Sequence, residues 1–362
     1  EAAGRPTGLF GTLSYRVAGR SVPAERTTPE ATDLAPLLAE LVAAGGHTAV
    51  MEVSSHAIVL ERVAGLGFDI AVLTNLSRDH LDFHGDMERY FAVKRRLFDE
   101  LLAPGGRRVL PAEDPRGQEL LATPREADVT WGIERGDVSA AEVRMDLDGT
   151  RLTLRYGGHE APLHLPLIGT HNLANALAAA AAALAAELPL EAVVRGLEGA
   201  EPLPGRLERV PVELPFPVFV DYAHTPDGLR AVLESLRAVT DRRIVLVFGA
   251  GGDRDRGKRA PMGEAAGRLA HTVIVTSDNP RSEDPAVIAA AVAEGVRRAG
   301  AEPTVELDRR RAIALALDVA DRRSLVLVAG KGHESFQQIG PRRIPFSDAA
   351  VIRELAGGVP CV

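Results

Sequence analysis

The stretch RIVLVFGAGGDRDRGKRAPMGEAAGRLAHTVIVTSDNPR, Arg243–Arg281, decides the fold. Arg243–Phe248 is an apolar run of strand length, and Thr272–Thr276 is another. Both are apolar nearly throughout rather than alternating, as strands buried on both faces of a parallel sheet are. Between them a glycine-rich polar loop leads into helical sequence over Lys258–Leu269. The order strand, loop, helix, strand predicts a parallel crossover unit.

The alternation extends outward on both sides. Strands are expected at Val218–Asp221 and Ser324–Ala329, with helices at Pro226–Ala238, Ala286–Ala299 and Arg310–Val319. The result is an α/β fold with a parallel, doubly wound sheet. Upstream, the proline-rich segment EPLPGRLERVPVELPFP (Glu201–Pro217) breaks the pattern and marks a boundary, placed between a domain over 1–212 and another over 213–362. The first domain is α/β as well. Thr28-Pro29-Glu30 reads as a capped start for a helix running to Ala44, which Gly45-Gly46 ends. HTAVMEV (His47–Val53) and DIAVLTNL (Asp69–Leu76) are buried strands, and Asp86 caps a helix through MERYFAVKRRLFDELLA. Alternation between Val138 and Ile168 suggests an antiparallel excursion turning at Asp148-Gly149. An alanine-rich helix follows; its apolar run, Ala176–Ala186, is too short to span a bilayer.

Composition narrows the function. A net charge of −8 argues against general affinity for nucleic acid, while leaving room for anionic small molecules held by local arginines and backbone amides. No secretory signal is visible in EAAGRPTGLFGT, and the single cysteine, Cys361, excludes internal disulfides, so a cytoplasmic location is expected. A monomer without membrane or nucleic-acid partners is the accompanying expectation. Of 42 basic residues only Lys94, Lys258 and Lys331 are lysines, the rest arginines. Only lysine offers a compact primary amine that can lose its proton and react.

Ligand sites in parallel α/β sheets lie at the carboxyl ends of strands. The polar clusters MEVSSH (Met51–His56), TNLSRDHLDFHGD (Thr74–Asp86), DYAHTPD (Asp221–Asp227), FGAGGDRDRGKR (Phe248–Arg259), SDNPR (Ser277–Arg281) and AGKGHE (Ala329–Glu334) each follow such a strand. Recurring behind successive strands, they point to a composite site rather than to solvated turns.

These blocks, with GTHNLANALAA, resemble the motifs of the Mur ligase family in the family's own order, along the whole chain. The resemblance implies a central ATPase-type α/β domain followed by a Rossmann-like, doubly wound C-terminal domain. It is closest to the branch that joins meso-diaminopimelate to UDP-N-acetylmuramoyl-L-alanyl-D-glutamate. The implied reaction uses ATP to phosphorylate a carboxylate, which the incoming amine attacks through a tetrahedral intermediate; ATP and Mg2+ are the implied cofactors.

Carried over residue by residue, the resemblance assigns Glu52, His80 and Lys94 to catalysis and to the metal, Lys94 as a carbamate. Otherwise Glu52 is a strand-end carboxylate paired with an arginine, His80 a buried hydrogen-bonded imidazole, and Lys94 part of a solvated helix face beside Arg95 and Arg96. Thr27, Thr28, Ser54 and Arg62 would meet the UDP-linked precursor, unless the threonines simply cap a helix. The family often has glutamine where Leu60 stands, so that wall of the pocket departs from the pattern. Asn172, Arg206 and Asp221 would meet ATP, although Asn172 could equally cap the alanine-rich helix. Arg254, Asp278, Asn279, Pro280, Arg281, Gly330 and Glu334 would hold diaminopimelate: Arg281 suits its distal carboxylate and Glu334 its distal ammonium.

No G-K-T or G-K-S phosphate loop occurs in the sequence, so the central domain is expected to be incomplete, N-terminally truncated and inactive by itself. The competing readings are the lysine-adding sister ligase, a folylpolyglutamate or cyanophycin synthetase relative, and a non-catalytic binding module that keeps an amino-acid pocket. DNPR (Asp278–Arg281) favours diaminopimelate over the first three.

Overall fold

A computed structural model of the protein describes residues 1–77 and 80–357, Asp82 without its side chain. Arg78 and Asp79 of the SRDHLD motif, and Cys361, lie outside the described residues. The chain forms two compact units, the first comprising 1–144, 149–166 and 170–200, the second 145–148, 167–169 and 201–362.

In the first unit, β1 (Thr7–Phe10), β2 (Ser14–Val17), β3 (Arg20–Pro23), α1 (Ala31–Ala43), β4 (Thr48–Met51) and α2 (Ser55–Val59) come first. They are followed by β5 (Phe68–Val72), α3 (Leu81–His84), α4 (Met87–Asp99), β6 (Leu102–Pro111), α5 (Pro115–Leu121) and β7 (Val129–Trp131). The unit closes with β8 (Val138–Asp146), β9 (Gly149–Tyr156), β10 (His159–Leu165), α6 (Thr170–Ala185) and α7 (Leu190–Glu198). One sheet has the order β3-β2-β1-β4, with β1 and β4 parallel. The other runs β10-β9-β8-β7-β6-β5; β5 to β8 pair in parallel and β9–β10 is an antiparallel hairpin. The expected antiparallel excursion is therefore an extension of a parallel sheet. Phe10, Tyr15, Val17, Leu34, Leu41 and Val63 fill one core, and Ala71, Leu73, Phe91, Phe98, Leu110 and Leu120 another.

β4 and β5 are shorter than the sequence reading, β5 stopping at Val72 rather than Leu76, and two helix ends differ from it as well. α1 begins at Ala31, with Glu30 rather than Thr28 at its cap position, because Thr28 makes other hydrogen bonds described below. α4 stops at Asp99, although LLA continues its apolar pattern, because the chain there enters β6 and pairs with β5.

The second unit holds β11 (Glu208–Arg209), β12 (Val218–Asp221), α8 (Pro226–Val239), β13 (Arg243–Phe248), a 3-10 turn (Arg256–Lys258), α9 (Arg259–Leu269) and β14 (Thr272–Val275). Then come α10 (Pro285–Arg298), β15 (Thr304–Val305), α11 (Arg309–Val319), β16 (Ser324–Ala329), β17 (Phe336–Ile339), β18 (Arg342–Pro345) and α12 (Asp348–Leu355). Its sheet runs β11-β12-β16-β13-β14-β15; all pairs from β12 onward are parallel, and β11 adds antiparallel to the edge. That pairing is why residues 201–212, placed in the first domain by sequence, belong to the second unit. β12, β13, β14 and β16 are apolar and buried because helices cover both faces of the sheet. α9 and α10 cross backbone to backbone: a Cβ on Gly263 would sit 2.1 Å from the Val292 carbonyl oxygen, and one on Gly295 2.0 Å from that of Ala260.

Candidate functional site

In the first unit the polar residues gather behind β4. The Thr28 hydroxyl donates to the Glu52 carbonyl at 2.7 Å and accepts from the Ser54 amide at 3.0 Å, tying two chain segments together. Ser54 caps α2, its Oγ accepting from the Ala57 amide at 3.1 Å. Thr27 and Thr12 hydroxyls lie 3.1 Å apart, and Thr12 donates to Glu52 Oε2 at 2.8 Å. Among the described residues Glu52 is thus held by Thr12, not by the arginine of its structural alternative. Arg62 is buried, its Nε 3.1 Å from Glu30 Oε1 but not aligned for a hydrogen bond. A guanidinium with bonding capacity left over, beside two threonines and a serine, suits a carboxylate or other anion.

His80 sits at a left-handed backbone position (φ 53) before α3 and is exposed, so it is not the buried imidazole of its alternative reading. Its ring meets His56 edge-on at 4.9 Å and Tyr90 at 6.1 Å. Lys94 lies over the same Tyr90, Nζ 5.4 Å from the ring centroid. On one helix Arg95 pairs with Asp99 and Arg96 with Glu100, while Lys94 has no such partner among the described residues. Burial lowers its pKa below the ordinary lysine value, which favours the uncharged amine. Among the described residues no three His, Cys, Asp or Glu side chains form a ready metal centre. Asn172 lies inside the first turn of α6, not at its cap.

In the second unit, four expected clusters converge at the carboxyl ends of β12, β13, β14 and β16. Asp221 is buried, its carboxylate accepting from the Leu207 and Ala223 amides, each at 2.7 Å. This makes it a staple for the surrounding loops as well as a nucleotide candidate. Arg206 stacks on Tyr222, 5.2 Å from the ring centroid. Gly252 donates to the Asn279 carbonyl at 2.9 Å, and Arg281 Nη1 donates to the Gly252 carbonyl at 2.7 Å. A Cβ on Gly252 would come 2.0 Å from the Pro280 carbonyl oxygen, so the two loops touch through backbone. Arg281 takes a left-handed backbone (φ 52) and bridges to Ile339 of β17. Arg254 is exposed on the first of these loops. Gly330 leaves β16 at φ 113, where a Cβ would meet Asp278 Oδ2 at 2.7 Å. Burial raises the pKa of Asp278, opposed by Arg309 and Lys331. Arg309 is itself fully buried on Asp348, and donates to the Ala329 carbonyl at 3.0 Å. Asn279 Nδ2 donates to Glu334 Oε2 at 2.8 Å. Burial acts to raise Glu334, but Lys331 and Asn279 hold it below the usual carboxylate range.

Sequence reasoning left Lys258 and Lys331 without roles, although lysine scarcity had singled them out. Lys258 Nζ donates to the His224 carbonyl at 2.9 Å, and burial lowers its pKa. Lys331 bonds both Asn279 and Glu334. Thr12, the partner of Glu52, carried no sequence signal.

Carboxylates, hydroxyls and cations brought together behind parallel strands are the equipment of an α/β enzyme that handles charged substrates, here a ligase. Residues 1–183 match the Mur ligase middle domain and 205–332 the Mur ligase glutamate ligase domain. The chain belongs to the Mur ligase family. It is 44% identical to the UDP-N-acetylmuramoyl-L-alanyl-D-glutamate–2,6-diaminopimelate ligase of Solibacter usitatus, over 99% of this chain and 73% of the relative. It is 47% identical to the protein of that name from Gloeobacter violaceus, over 96% of this chain and 71% of the relative. A solved structure of a ligase of that name superposes with a TM-score of 0.74 at 34% identity, covering 98% of this chain and 73% of the other. Mycobacterium tuberculosis folylpolyglutamate synthase shares the fold, with a TM-score of 0.65 at 23% identity over 99% of this chain and 87% of its own. No described helix is long and apolar enough to cross a membrane.

Proposed function

We propose that this chain serves the ATP-dependent addition of meso-diaminopimelate to UDP-N-acetylmuramoyl-L-alanyl-D-glutamate, a step of peptidoglycan precursor synthesis; with no G-K-T or G-K-S loop in its sequence, it binds these substrates but is expected not to form ADP by itself. The observation that carries this reading is the Asp278–Arg281 loop. It combines an arginine suited to a distal carboxylate with an asparagine bonded to Glu334, a carboxylate suited to the distal ammonium. Lysine lacks that second carboxylate, so Arg281 would have nothing to bind in it. The names of the relatives support the same substrate pair.

In this reading Thr27, Thr28, Ser54 and Arg62 hold the peptide end of the UDP-linked precursor. Asn172, Arg206 and Asp221 face ATP. Arg254, Asp278, Asn279, Pro280, Arg281, Gly330 and Glu334 form the diaminopimelate pocket. Phosphate passes from ATP to the glutamate carboxylate as ADP leaves; the diaminopimelate amine then attacks the acyl carbon and phosphate departs. Magnesium, when bound, neutralises charge on the transferred phosphoryl group. Glu52, His80 and Lys94 would hold it, and the donor chemistry fits: Glu52 offers hard oxygens, and the burial-favoured neutral amine of Lys94 can take up carbon dioxide to become an oxygen ligand. A cytoplasmic monomer is part of the same reading.

Calorimetric titration of the purified chain tests it. Diaminopimelate should bind more tightly than L-lysine by more than about tenfold, the value of a hydrogen bond to a charged group. Arg281→Ala should remove most of that gap. Equal affinity for the two amino acids in the wild type would overturn the reading.

A further inference from the structure

Lys331 is one of three lysines in the chain, its side chain is fully buried, and the mechanism above gives it nothing to do. An ammonium is kept from water only where bonds replace its hydration. Here Nζ donates to Glu334 Oε2 at 2.9 Å and to Asn279 Oδ1 at 3.2 Å, with the Phe336 ring 5.9 Å away.

The bonds have a direction. Asn279 Oδ1 accepts from Lys331 and also from the Gln338 amide at 2.8 Å, so its Nδ2 must point to Glu334. Glu334 Oε2 then receives two donors, Lys331 Nζ and Asn279 Nδ2. Oε1 accepts no hydrogen bond from the described residues.

We propose that Lys331 is a positioning residue of the amino-acid pocket: by anchoring Glu334 Oε2 and fixing the Asn279 amide, it leaves Glu334 Oε1 as the acceptor for the ligand's second ammonium. This rests on the diaminopimelate reading. Lys331 touches no substrate; it acts through Glu334.

The test compares two ligands on the intact chain: meso-diaminopimelate and 2-aminopimelate, which lacks only the second amino group. The wild type should prefer diaminopimelate by at least about tenfold. Lys331→Met should lower diaminopimelate affinity by at least about tenfold and change 2-aminopimelate affinity less than about twofold. Equal losses for both ligands, or no loss for diaminopimelate, overturn the proposal. A wild type that binds neither ligand, or does not distinguish them, overturns the underlying reading instead. Should Lys331→Met fail to fold, 15Nζ-lysine NMR of the wild type decides. The three lysines should give three side-chain signals, and that of Lys331 should shift with diaminopimelate but not with 2-aminopimelate; an unmoved signal overturns the proposal.

Discussion

Lys94, Arg95 and Arg96 stand side by side on α4 with the same formal charge and different surroundings. The arginines are paired to Asp99 and Glu100 one helical turn on; the lysine lies against Tyr90 without a carboxylate partner among the described residues. If Lys94 is carbamylated, 13C NMR under labelled carbon dioxide should give a carbamate signal that Lys94→Arg abolishes and Arg95→Lys leaves intact. A signal that survives Lys94→Arg would assign it elsewhere. Burial lowers the Lys94 pKa, so the unfolded chain binds that proton more tightly. Its contribution to stability therefore grows as pH rises from the folded value toward the ordinary lysine value, and at fixed dissolved carbon dioxide the carbamate signal should grow over the same range. Glu334 has the opposite window. Its lowered pKa adds stability above the ordinary carboxylate range, lost as pH falls through the lowered value. Glu334→Gln should accordingly flatten the acid limb of Tm against pH; an unchanged limb would show that the contact with Lys331 adds no net stability. At this scale the sequence showed which residue types were scarce, but not the left-handed backbones of His80 and Arg281, which neighbouring segments impose.

The four central strands of the second unit and the helices between them were readable almost to the residue, because strands buried on both faces are continuous apolar runs and most of those helices carry caps; β11, β15, β17, β18 and α12 gave no such signal. Thr225, Asp284 and Asp308 each accept from a first-turn amide. The first unit was less readable. β3 is exposed throughout, and β6 contains two prolines and two glycines, residues that ordinarily mark loops. Thr28 looked like a cap because its tertiary partners, the backbone groups of Glu52 and Ser54, are distant in sequence. Thr28→Val should cost about 1–3 kcal/mol, since both groups would lose a buried partner. Thermal unfolding measures this, and a Tm equal to wild type would return Thr28 to a passive position. At the crossing of α9 and α10, Gly263→Ala and Gly295→Ala should each destabilise by about 1–3 kcal/mol, because the added methyl meets a carbonyl oxygen and the helices must separate. Denaturant titration checks it: the better helix propensity of alanine, about 1 kcal/mol, would show as stabilisation if the helices were loosely packed.

At the scale of the whole molecule, each unit buries its own apolar clusters, and the diaminopimelate residues carried over from the family, from Arg254 to Glu334, all lie in the second. Calorimetry should therefore resolve ligand stabilisation into one transition. Saturating diaminopimelate at 100 times its Kd adds about 2.7 kcal/mol to the unit that binds it. The raised transition should be that of 201–362, identified by mass spectrometry of the segments that resist proteolysis. A ligand that raised only the first unit's transition would place the pocket wrongly. The net charge of −8 argued against a general polyanion binder, and the cations carried over from the family are few and local, on loops at strand ends. That much of the molecule was legible from its charge pattern; the hydrogen bonds that orient those loops depend on approach distances that no pattern encodes.

The burial of Lys331 also makes the chain its own clock. An amine-acylating reagent meets few amines in this protein, and the side chain of Lys331 has no exposed surface. It reacts only when the strand-end loops open, so the ratio of its acylation rate to that of a free lysine gives the equilibrium for opening, without isotope exchange or a reporter group.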